Sequence, residues 1–312
     1  MTNKRSDAQN EFLTFDRITK IKSIVNKFGE ESFYISFSGG KDSTVLSHLV
    51  DKALPGNNIP RVYANTGIEL NAVLEFVTEL KKKDDRIKII EPSVKIKQML
   101  ENDGYPFKSK EHSLYLSIYQ NSGYTKTIDR YLHPDESRKT FGCPESLKYQ
   151  FTPEFKLKCS KKCCYNMKEK PMDDYAKANN KPNAMIGLLG DEKGGRNNAK
   201  CLVESRIGGH NFQPLTAVDQ EWENYFIRTE DIKLCKLYYP PYNYVRTGCK
   251  GCPYNIDLQE SLDVLSQYFP SERKQVEYIW EPVYEEYRRL GYRLKRKGQM
   301  KGQTSIFDAY FV

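Results

Sequence analysis

Residues Ser38–Ser43 read Ser-Gly-Gly-Lys-Asp-Ser and directly follow the apolar run Phe33–Phe37. A strand that ends in two glycines and opens a helix is typical of a phosphate-binding loop, because glycine lets the backbone approach an anion and adopt positive φ. The new helix directs free N–H groups and the positive end of its dipole to the same point. Lys41 adds a full positive charge, and Ser38 and Ser43 add hydroxyl donors. The alternative is a glycine-rich turn that binds nothing.

The spacing of this loop differs from that of two common nucleotide-binding motifs. A Walker A loop places four residues between its first glycine and its Gly-Lys pair, and the dinucleotide fingerprint reads Gly-x-Gly-x-x-Gly. The segment instead resembles the PP-loop of the ATP pyrophosphatases, whose signature is Ser-Gly-Gly-x-Asp-Ser. This resemblance implies that the loop holds the phosphates of ATP or of a related adenylyl nucleotide. The nucleotide-binding residues are then Ser38, Gly39, Gly40, Lys41, Asp42 and Ser43.

Short apolar runs alternate with helical patterns along the chain. Strands are predicted at residues 33–37, 60–65, 87–90 and 184–189, and helices at 11–28, 70–83 and 257–290. This alternation favours right-handed βαβ units, and therefore an α/β fold with a mostly parallel twisted sheet flanked by helices. Ligands in such sheets bind beyond the carboxyl ends of the strands, where the loop lies. Residues 104–182 are less regular and are interpreted as a Cys-rich insertion that covers the site.

The bulk composition sets the broad class of the protein. A chain of 312 residues, 38% of them hydrophobic, is long enough for one large domain or two small ones with a buried core. The polar start at Met1–Asn10 and the lack of a long apolar run predict a cytoplasmic protein with no membrane segment. The net charge of +8 favours anionic partners. A nucleotide, a nucleic acid or a solvated lysine surface each accounts for that charge.

Eight cysteines in a cytosolic chain indicate metal, cluster or redox chemistry rather than structural disulfides. Cys163 and Cys164 are adjacent, and Cys249 and Cys252 form a C-x-x-C pair, so together they supply four thiolates. Sulfur ligands without a matching histidine suit an iron–sulfur cluster or zinc. The arrangement resembles the Cys-Cys…Cys-x-x-Cys pattern that holds a 4Fe–4S cluster in the assimilatory adenylyl-sulfate reductases. Zinc, two unrelated cysteine pairs, and a ligand set in which Cys159 replaces one member remain open.

Further segments resemble the phosphoadenylyl-sulfate (PAPS) reductase branch of the PP-loop superfamily, and the likeness extends from about residue 30 to about residue 256. The matching segments are Asn65–Glu69, Gly104–Lys110, Gly187–Arg196, Tyr238–Tyr242 and Arg246–Tyr254. The resemblance implies that Thr66, Gly67 and Glu69 line the nucleotide pocket. It also implies that Glu192 and Arg196 belong to the binding site.

Several positions depart from the family pattern. Asn65 replaces the usual Asp, Leu189 stands where many members have Arg, and Lys193 replaces Ser. The reductases also carry a catalytic cysteine near the C-terminus, whereas here no cysteine follows Cys252. The remaining parts are similar to those of the ATP pyrophosphatases of DNA phosphorothioation and of cluster-bearing tRNA thiolases.

The resemblance therefore implies an enzyme that binds ATP with Mg²⁺ and adenylates an oxygen of nucleic acid, after which a sulfur donor such as a cysteine desulfurase displaces AMP. In this mechanism Lys41 stabilises the departing pyrophosphate. Asp42 holds Mg²⁺ or is a plain charge at a helix start, and Arg196 clamps a phosphate or is a solvated side chain. Two alternatives stay open: a sulfonucleotide reductase that uses another thiol, and a non-catalytic nucleotide-binding protein.

Three regions are predicted along the chain: a nucleotide-binding domain over residues 1–256, a helical extension over 257–294 and a basic tail over 295–312. In the tail, Gln303–Phe307 resembles the Gln-x-(Ser/Asp)-Leu-Phe peptide by which bacterial proteins dock on the DNA sliding clamp. Such peptides place a few apolar side chains in a groove of the partner. A terminal strand that packs on its own domain is the alternative. The clamp interpretation makes DNA, rather than tRNA, the acceptor.

Overall fold

The computed structural model describes residues 5–134, 142–191 and 200–296. The helices are α1 (Asp7–Phe28), α2 (Lys41–Ala53), α3 (Asn71–Lys81), α4 (Ile96–Asp103), α5 (Lys110–Ser122), α6 (Lys126–Leu132), α7 (Lys162–Cys164), α8 (Lys170–Ala178), α9 (Gln220–Thr229), α10 (Leu258–Tyr268) and α11 (Pro270–Leu290). The strands are β1 (Phe33–Ser36), β2 (Arg61–Ala64), β3 (Ile87–Ile90), β4 (Asn183–Ile186), β5 (Leu202–Glu204) and β6 (His210–Phe212). No helix among these residues is long and apolar enough to cross a membrane.

The chain divides into two units. Unit 1 comprises Met1–Ser93 and Lys168–Gly248, and unit 2 comprises Val94–Met167 and Cys249–Val312. Unit 1 contains all the strands named above, together with α1, α2, α3, α8 and α9. The remaining helices belong to unit 2.

The sheet of unit 1 has the strand order β3-β2-β1-β4-β6-β5. The neighbours from β3 to β6 are parallel, and β5 alone of these strands pairs antiparallel, at the edge. Ser36, the last residue of β1, lies in register with Ile186, the last residue of β4. The chain runs outward from β1 to β3 and returns to the other side of β1 as β4. The carboxyl ends of β1 and β4 therefore form a topological switch point, where parallel sheets bind ligands.

Both faces of the sheet are covered by apolar side chains. Phe33 and Ile35 point into a core formed with α1, α2 and α9. Tyr34, between them in sequence, packs on the other face against Met172 and Ala176 of α8. Successive side chains of a strand alternate between faces, so the consecutive apolar and aromatic residues Phe33, Tyr34 and Ile35 indicate a strand buried on both sides.

The helices differ in how their first turns are capped. Ser6, Ser109 and Asp219 accept hydrogen bonds from backbone N–H groups of α1, α5 and α9, respectively. The N-cap of α2 is Gly40, which offers no side-chain acceptor to that first turn. Four N–H groups at the start of a helix have no partner within the helix, so α2 presents donors at the switch point.

Unit 2 is built from helices around a buried aromatic cluster. His112, on α5, is fully buried and makes hydrogen bonds to Tyr131 (2.8 Å) and to Gln150 (2.7 Å). Burial lowers the pKa of His112 to about 4, so the ring is neutral at physiological pH. Phe107 packs edge-on against Tyr287 of α11, with ring centroids 4.8 Å apart. The cluster thus ties the start of α5 to α11.

The fold class and the four predicted strands are confirmed. The strand predicted at 184–189 is shorter, since β4 ends at Ile186 and the next residues enter the binding cleft. Residues 104–182 are more regular than predicted, because α5, α6 and α8 lie within them. Strands β5 and β6 were not predicted, since three residues are too few to show a strand alternation.

Candidate active site and cysteine-bearing loop

The loop between β1 and α2 needs both of its glycines. Gly39 adopts a φ of +68°, and a Cβ there would lie 2.8 Å from Val77 and 2.9 Å from Val73 on α3. A Cβ on Gly40 would lie 3.1 Å from the hydroxyls of both Ser38 and Thr247. Each position therefore excludes a side chain on steric grounds, and Gly39 does so on conformational grounds as well.

Hydroxyl groups surround Gly40. Ser38 Oγ lies 3.0 Å from Ser43 Oγ, which in turn donates to the carbonyl of Gly40 (3.0 Å). The backbone N–H of Lys41 donates to the hydroxyl of Tyr238 (2.9 Å), which lies 2.9 Å from Thr247 Oγ1. The loop is thereby held open in its binding shape by side chains from its own helix and from the segment 238–247.

A cleft of about 470 Å³ opens above this loop. Its lining includes the loop residues Ser38, Gly40, Lys41, Asp42 and Ser43, together with Gly187, Gln213, Tyr238, Arg246 and Thr247. A Cβ on Gly187 would lie 2.7 Å from the carbonyl oxygen of Asp42, so the strand β4 can approach the first turn of α2 only with glycine here. Amide donors, hydroxyls and a lysine facing one volume suit a chain of phosphates.

The ammonium of Lys41 is engaged by a residue that the motif does not contain. Glu223, on α9, has a fully buried side chain, and its Oε2 lies 2.7 Å from Lys41 Nζ. Asp42, the next residue of the loop, lies near enough to Glu223 for its charge to act on that carboxyl. Burial and the charge of Asp42 raise the pKa of Glu223 to about 7, although Lys41 opposes the shift.

A smaller cavity of about 90 Å³ adjoins the loop on the side of β2. Its lining is mixed: Phe37, Tyr63, Ala64, Val73 and Met172 supply apolar surface, and Ser36, Ser38, Glu69, Lys168 and Thr247 supply polar groups. Thr66 donates its hydroxyl to Glu69 (2.6 Å), and Lys168 lies 3.2 Å from the same carboxylate. Gly67 adopts a φ of +72°, which lets the chain turn between Thr66 and Glu69.

The structure brings most of the predicted nucleotide residues of unit 1 together. Ser38 lines both cavities. Glu69 lines the smaller cavity, and Thr66 donates a hydrogen bond to Glu69. Glu192 and Arg196 lie outside the described residues. Leu189, where relatives carry Arg, is buried in the apolar core beside β4.

Several side chains of the site were missed as site residues at the level of sequence. Tyr238, Arg246 and Thr247 stand in segments that the family resemblance singled out, so their place in the site had a signal. Gln213 and Glu223 stand outside those segments, and Glu223 is one acidic residue in an otherwise ordinary amphipathic helix.

In unit 2, Cys249 and Cys252 lie on a tight loop that is anchored by α11. Gly251, at its centre, has a φ of +61°, and a Cβ there would lie 2.3 Å from the hydroxyl of Tyr284. Lys250 forms a buried ion pair with Glu272, with Nζ and Oε2 3.0 Å apart. The loop therefore has room for no side chain at Gly251, and its one lysine is neutralised internally.

Side chains spaced at i, i+4 and i+7 on α11 donate to the carbonyls of this loop. Trp280 Nε1 donates to Lys250 (3.2 Å), Tyr284 to Gly251, and Tyr287 to Pro253 (2.9 Å). All three donors are buried. This row of donors on α11, residues 280, 284 and 287, fixes the backbone that carries the C-x-x-C pair.

Three of the cysteines predicted as ligands act electrostatically on Tyr254. Burial raises the pKa of the Tyr254 phenol, and negative charge on Cys164, Cys252 or Cys163 would raise it further. Its hydroxyl donates to Ser113 (3.1 Å). None of the eight cysteines, all within the described ranges, forms a disulfide. Within those ranges no three His, Cys, Asp or Glu side chains are arranged as a ready metal site.

A parallel sheet with an anion-binding loop at its switch point, beginning Ser-Gly-Gly-Lys-Asp-Ser, defines the PP-loop class of α/β proteins. A profile of the phosphoadenosine phosphosulfate reductase domain matches residues 32–135 and 131–255, and the chain belongs to this family. No curated protein is significantly similar to the chain in sequence.

Several solved structures are similar to the chain at low identity. PAPS reductase from Candida auris, a phosphate complex, is 12% identical over 75% of this chain and 91% of its own, with a TM-score of 0.42. The NH₃-dependent NAD synthetase from Campylobacter jejuni is 13% identical over 95% of this chain and 99% of its own, with a TM-score of 0.40. The U34-tRNA thiolase from Methanococcus maripaludis, solved with its 4Fe–4S cluster, is 15% identical over 95% and 83%, with a TM-score of 0.37.

The substitution Tyr284→Phe tests the anchoring of the cysteine-bearing loop. It removes the donor to the buried carbonyl of Gly251, so we expect a loss of about 1–3 kcal/mol in the free energy of unfolding. Cys249 and Cys252 should also react faster with a thiol reagent, because their loop opens more often. Chemical denaturation and timed thiol labelling followed by mass spectrometry measure the two effects.

The matched control is Tyr278→Phe on the same helix, whose side chain is 63% exposed. It should change the free energy of unfolding by less than about 0.5 kcal/mol. Equal effects of the two substitutions would contradict the anchoring role.

Proposed function

We propose that this protein is a PP-loop ATP pyrophosphatase that releases AMP and pyrophosphate and takes part in sulfur-dependent modification of nucleic acid. The observation that carries the proposal is the cleft above Ser38–Ser43, where the start of α2, Lys41 and a ring of hydroxyls face one volume. The smaller, partly apolar cavity beside it accommodates part of a nucleoside. Together they support a nucleotide bound with its phosphates on the loop.

The groups at the cleft suit the departure of pyrophosphate. In the proposed reaction an oxygen of the acceptor attacks the α-phosphorus, and the bond to the bridging α,β-oxygen breaks. Charge then develops on the β-phosphate, where N–H donors of the loop and Lys41 stabilise it. Asp42 would hold Mg²⁺ together with the phosphates, since Mg²⁺ is commonly bound by one or two carboxylates and substrate oxygens. A sulfur donor, such as the persulfide of a cysteine desulfurase, would then displace AMP from the adenylated acceptor, and a thiol reductant would cleave the resulting S–S bond to release the thiolated product.

The four cysteines of unit 2 would hold a 4Fe–4S cluster. Cys163, Cys164 and Cys252 share Tyr254 as a neighbour, and Cys249 stands on the same anchored loop as Cys252. The donor set is all sulfur, which suits an iron–sulfur cluster and also zinc. Small movements of the side chains must accompany binding, because the described residues do not form a ready metal site.

Charge supports nucleic acid as the acceptor. Unit 2 carries 23 Lys and Arg against 17 Asp and Glu, whereas unit 1 carries 26 against 24, so most of the net charge of +8 belongs to unit 2. Lys156, Lys158, Lys161 and Lys162 are exposed just before the cysteine pair, and Tyr165, which follows it, is 42% exposed. Lysines beside an exposed aromatic ring suit a phosphate backbone and a stacked base.

Family membership favours a second candidate, a sulfonucleotide reductase. Such an enzyme would release sulfite from PAPS or adenylyl sulfate with a thiol reductant. A thiolate must attack the sulfur, and residues 253–312 contain no cysteine to supply it. The reductase would therefore need one of the cysteines assigned above to the cluster, or one of the other four, which are Cys143, Cys159, Cys201 and Cys235.

An assay of ATP turnover tests the proposed reaction. We expect equimolar AMP and pyrophosphate from ATP and Mg²⁺ in the presence of DNA or tRNA, and at least a hundredfold lower rate with Lys41→Ala, since one such electrostatic contact contributes about 10²–10³ in rate. The control Lys52→Ala, at an exposed position on the same helix, should keep the rate. Release of sulfite from PAPS without AMP formation from ATP would favour the reductase, and ATP binding without turnover would favour a non-catalytic protein.

Metal analysis of anaerobically purified protein tests the cluster. We expect about four iron and four acid-labile sulfide per chain, with a visible absorption band that Cys249→Ser abolishes. Cys235→Ser, at a buried cysteine of unit 1, should leave the iron content unchanged. A content of about one zinc per chain would indicate that the four cysteines hold a structural zinc ion instead of a cluster. The absence of both iron and zinc would rule out a metal site at these cysteines.

Nucleic-acid binding is tested with a double charge reversal, Lys161→Glu and Lys162→Glu. We expect about a tenfold loss of affinity for DNA or tRNA, and a logarithmic salt dependence that is shallower by about two, because each lysine–phosphate contact releases roughly one counterion. The control reverses Lys81 and Lys83, two exposed lysines of unit 1. ATP turnover that is equal with and without DNA and tRNA would contradict a nucleic-acid acceptor.

A further inference from the structure

The ammonium of the loop lysine is already paired before any nucleotide arrives. Lys41 Nζ lies 2.7 Å from Glu223 Oε2, the lysine side chain is only 12% exposed, and that of Glu223 is fully buried. Glu223 lies outside the loop motif, 182 positions further along the chain, on α9. Helix α9 packs against both α1 and α2, so its backbone holds the carboxylate in place.

This pair determines the charge that a phosphate meets. A buried ammonium is costly unless an anion or several acceptors surround it. Glu223 supplies that anion in the free protein, because its Oε2 lies 2.7 Å from Lys41 Nζ. An incoming phosphate must therefore compete with a carboxylate for the same ammonium. A phosphate chain with several charges competes better than a single phosphate does.

We propose that Glu223 is a positioning residue that holds Lys41 in the cleft and yields it to the β- and γ-phosphates of the bound nucleotide. This inference rests on the proposed function only in naming the nucleotide as the source of those phosphates. Glu223 lowers the affinity of the free loop for anions and so makes binding selective for polyphosphates over phosphate or sulfate. It also limits product inhibition, since the same competition helps pyrophosphate to leave.

The chain contains a matched pair of residues for comparison. Lys52 of α2 and Glu230, which follows α9, are 2.8 Å apart, but their side chains are 42% and 31% exposed and do not line the cleft. Lys41 and Lys52 thus both lie on α2, whereas Glu223 lies on α9 and Glu230 directly follows it. Only the pair at Lys41 is buried beside the loop.

The test is a double-mutant cycle read by calorimetric binding of inorganic pyrophosphate. Glu223→Gln keeps the shape and the acceptor oxygen but removes the charge, so we expect pyrophosphate to bind about tenfold more tightly than to the native protein. The ratio of pyrophosphate affinity to phosphate affinity should fall. Lys41→Met should weaken pyrophosphate binding, and adding Glu223→Gln to Lys41→Met should change the affinity less than twofold.

Different outcomes separate the alternatives. If Glu223 only supports the fold, Glu223→Gln weakens pyrophosphate binding in both backgrounds and lowers the thermal midpoint, which would overturn the proposal. Glu223→Asp, which withdraws the carboxylate by one methylene, provides a second variant and should tighten binding to an intermediate degree. Lys52→Met and Glu230→Gln should leave pyrophosphate affinity unchanged.

The binding experiment can be interpreted even if the protein does not turn over ATP, because pyrophosphate binding needs no turnover. A protein that makes no AMP but shows the coupling between positions 41 and 223 retains the positioning role. Turnover of ATP without that coupling would remove the role of Glu223 and keep the enzyme.

Discussion

The binding cleft depends on one close approach of two backbones, that of Gly187 after β4 and that of the first turn of α2. A Cβ on Gly187 would stand 2.7 Å from the carbonyl oxygen of Asp42 and 3.1 Å from the N–H nitrogen of Ser43. Because β1 and β4 are paired in register up to Ser36 and Ile186, this contact sets where α2 begins relative to the sheet. The loop glycines and the hydroxyls around Gly40 can meet only because α2 begins at that place.

The same geometry explains how charge is distributed at the cleft. Gly40 gives the first turn of α2 no side-chain cap, and the N–H of Lys41 donates to Tyr238 instead. A helix start at the carboxyl ends of parallel strands is a favourable place for an anion. Lys41 is largely buried there, and α9 places the carboxylate of Glu223 beside its ammonium. In the proposed binding of a nucleotide, the phosphates compete with Glu223 for this ammonium.

The sequence was sufficient for the central architecture and insufficient for the long-range contacts. The unbroken apolar run of β1 and the glycines after it identify a buried strand and a phosphate loop, because both signals are local. The pairing of Lys41 with Glu223 depends on how α9 packs on α2, and no pattern within α9 distinguishes residue 223 from its acidic neighbours. Similarly, the C-x-x-C pair can be recognised as a motif, but the contacts that hold its loop cannot be predicted without knowing that residues 280, 284 and 287 share one face of α11.

The roles of Arg196, Glu192 and Gln303–Phe307, and the predicted division into three regions, remain predictions from the sequence.

The row of donors on α11 has a consequence for the boundaries of the domain. The family profile ends at residue 255, whereas the helix that fixes the C-x-x-C loop begins at Pro270. The C-x-x-C loop thus lies within the region that the family profile matches, but the helix that holds it in place, α11, lies outside that region. The cluster proposed for these cysteines would therefore be held by a loop whose stiffness is set outside the family domain. Since the protein around a cluster tunes its potential through hydrogen bonds and solvent exposure, substitutions in this unmatched helix would alter the redox behaviour of such a cluster without changing a ligand.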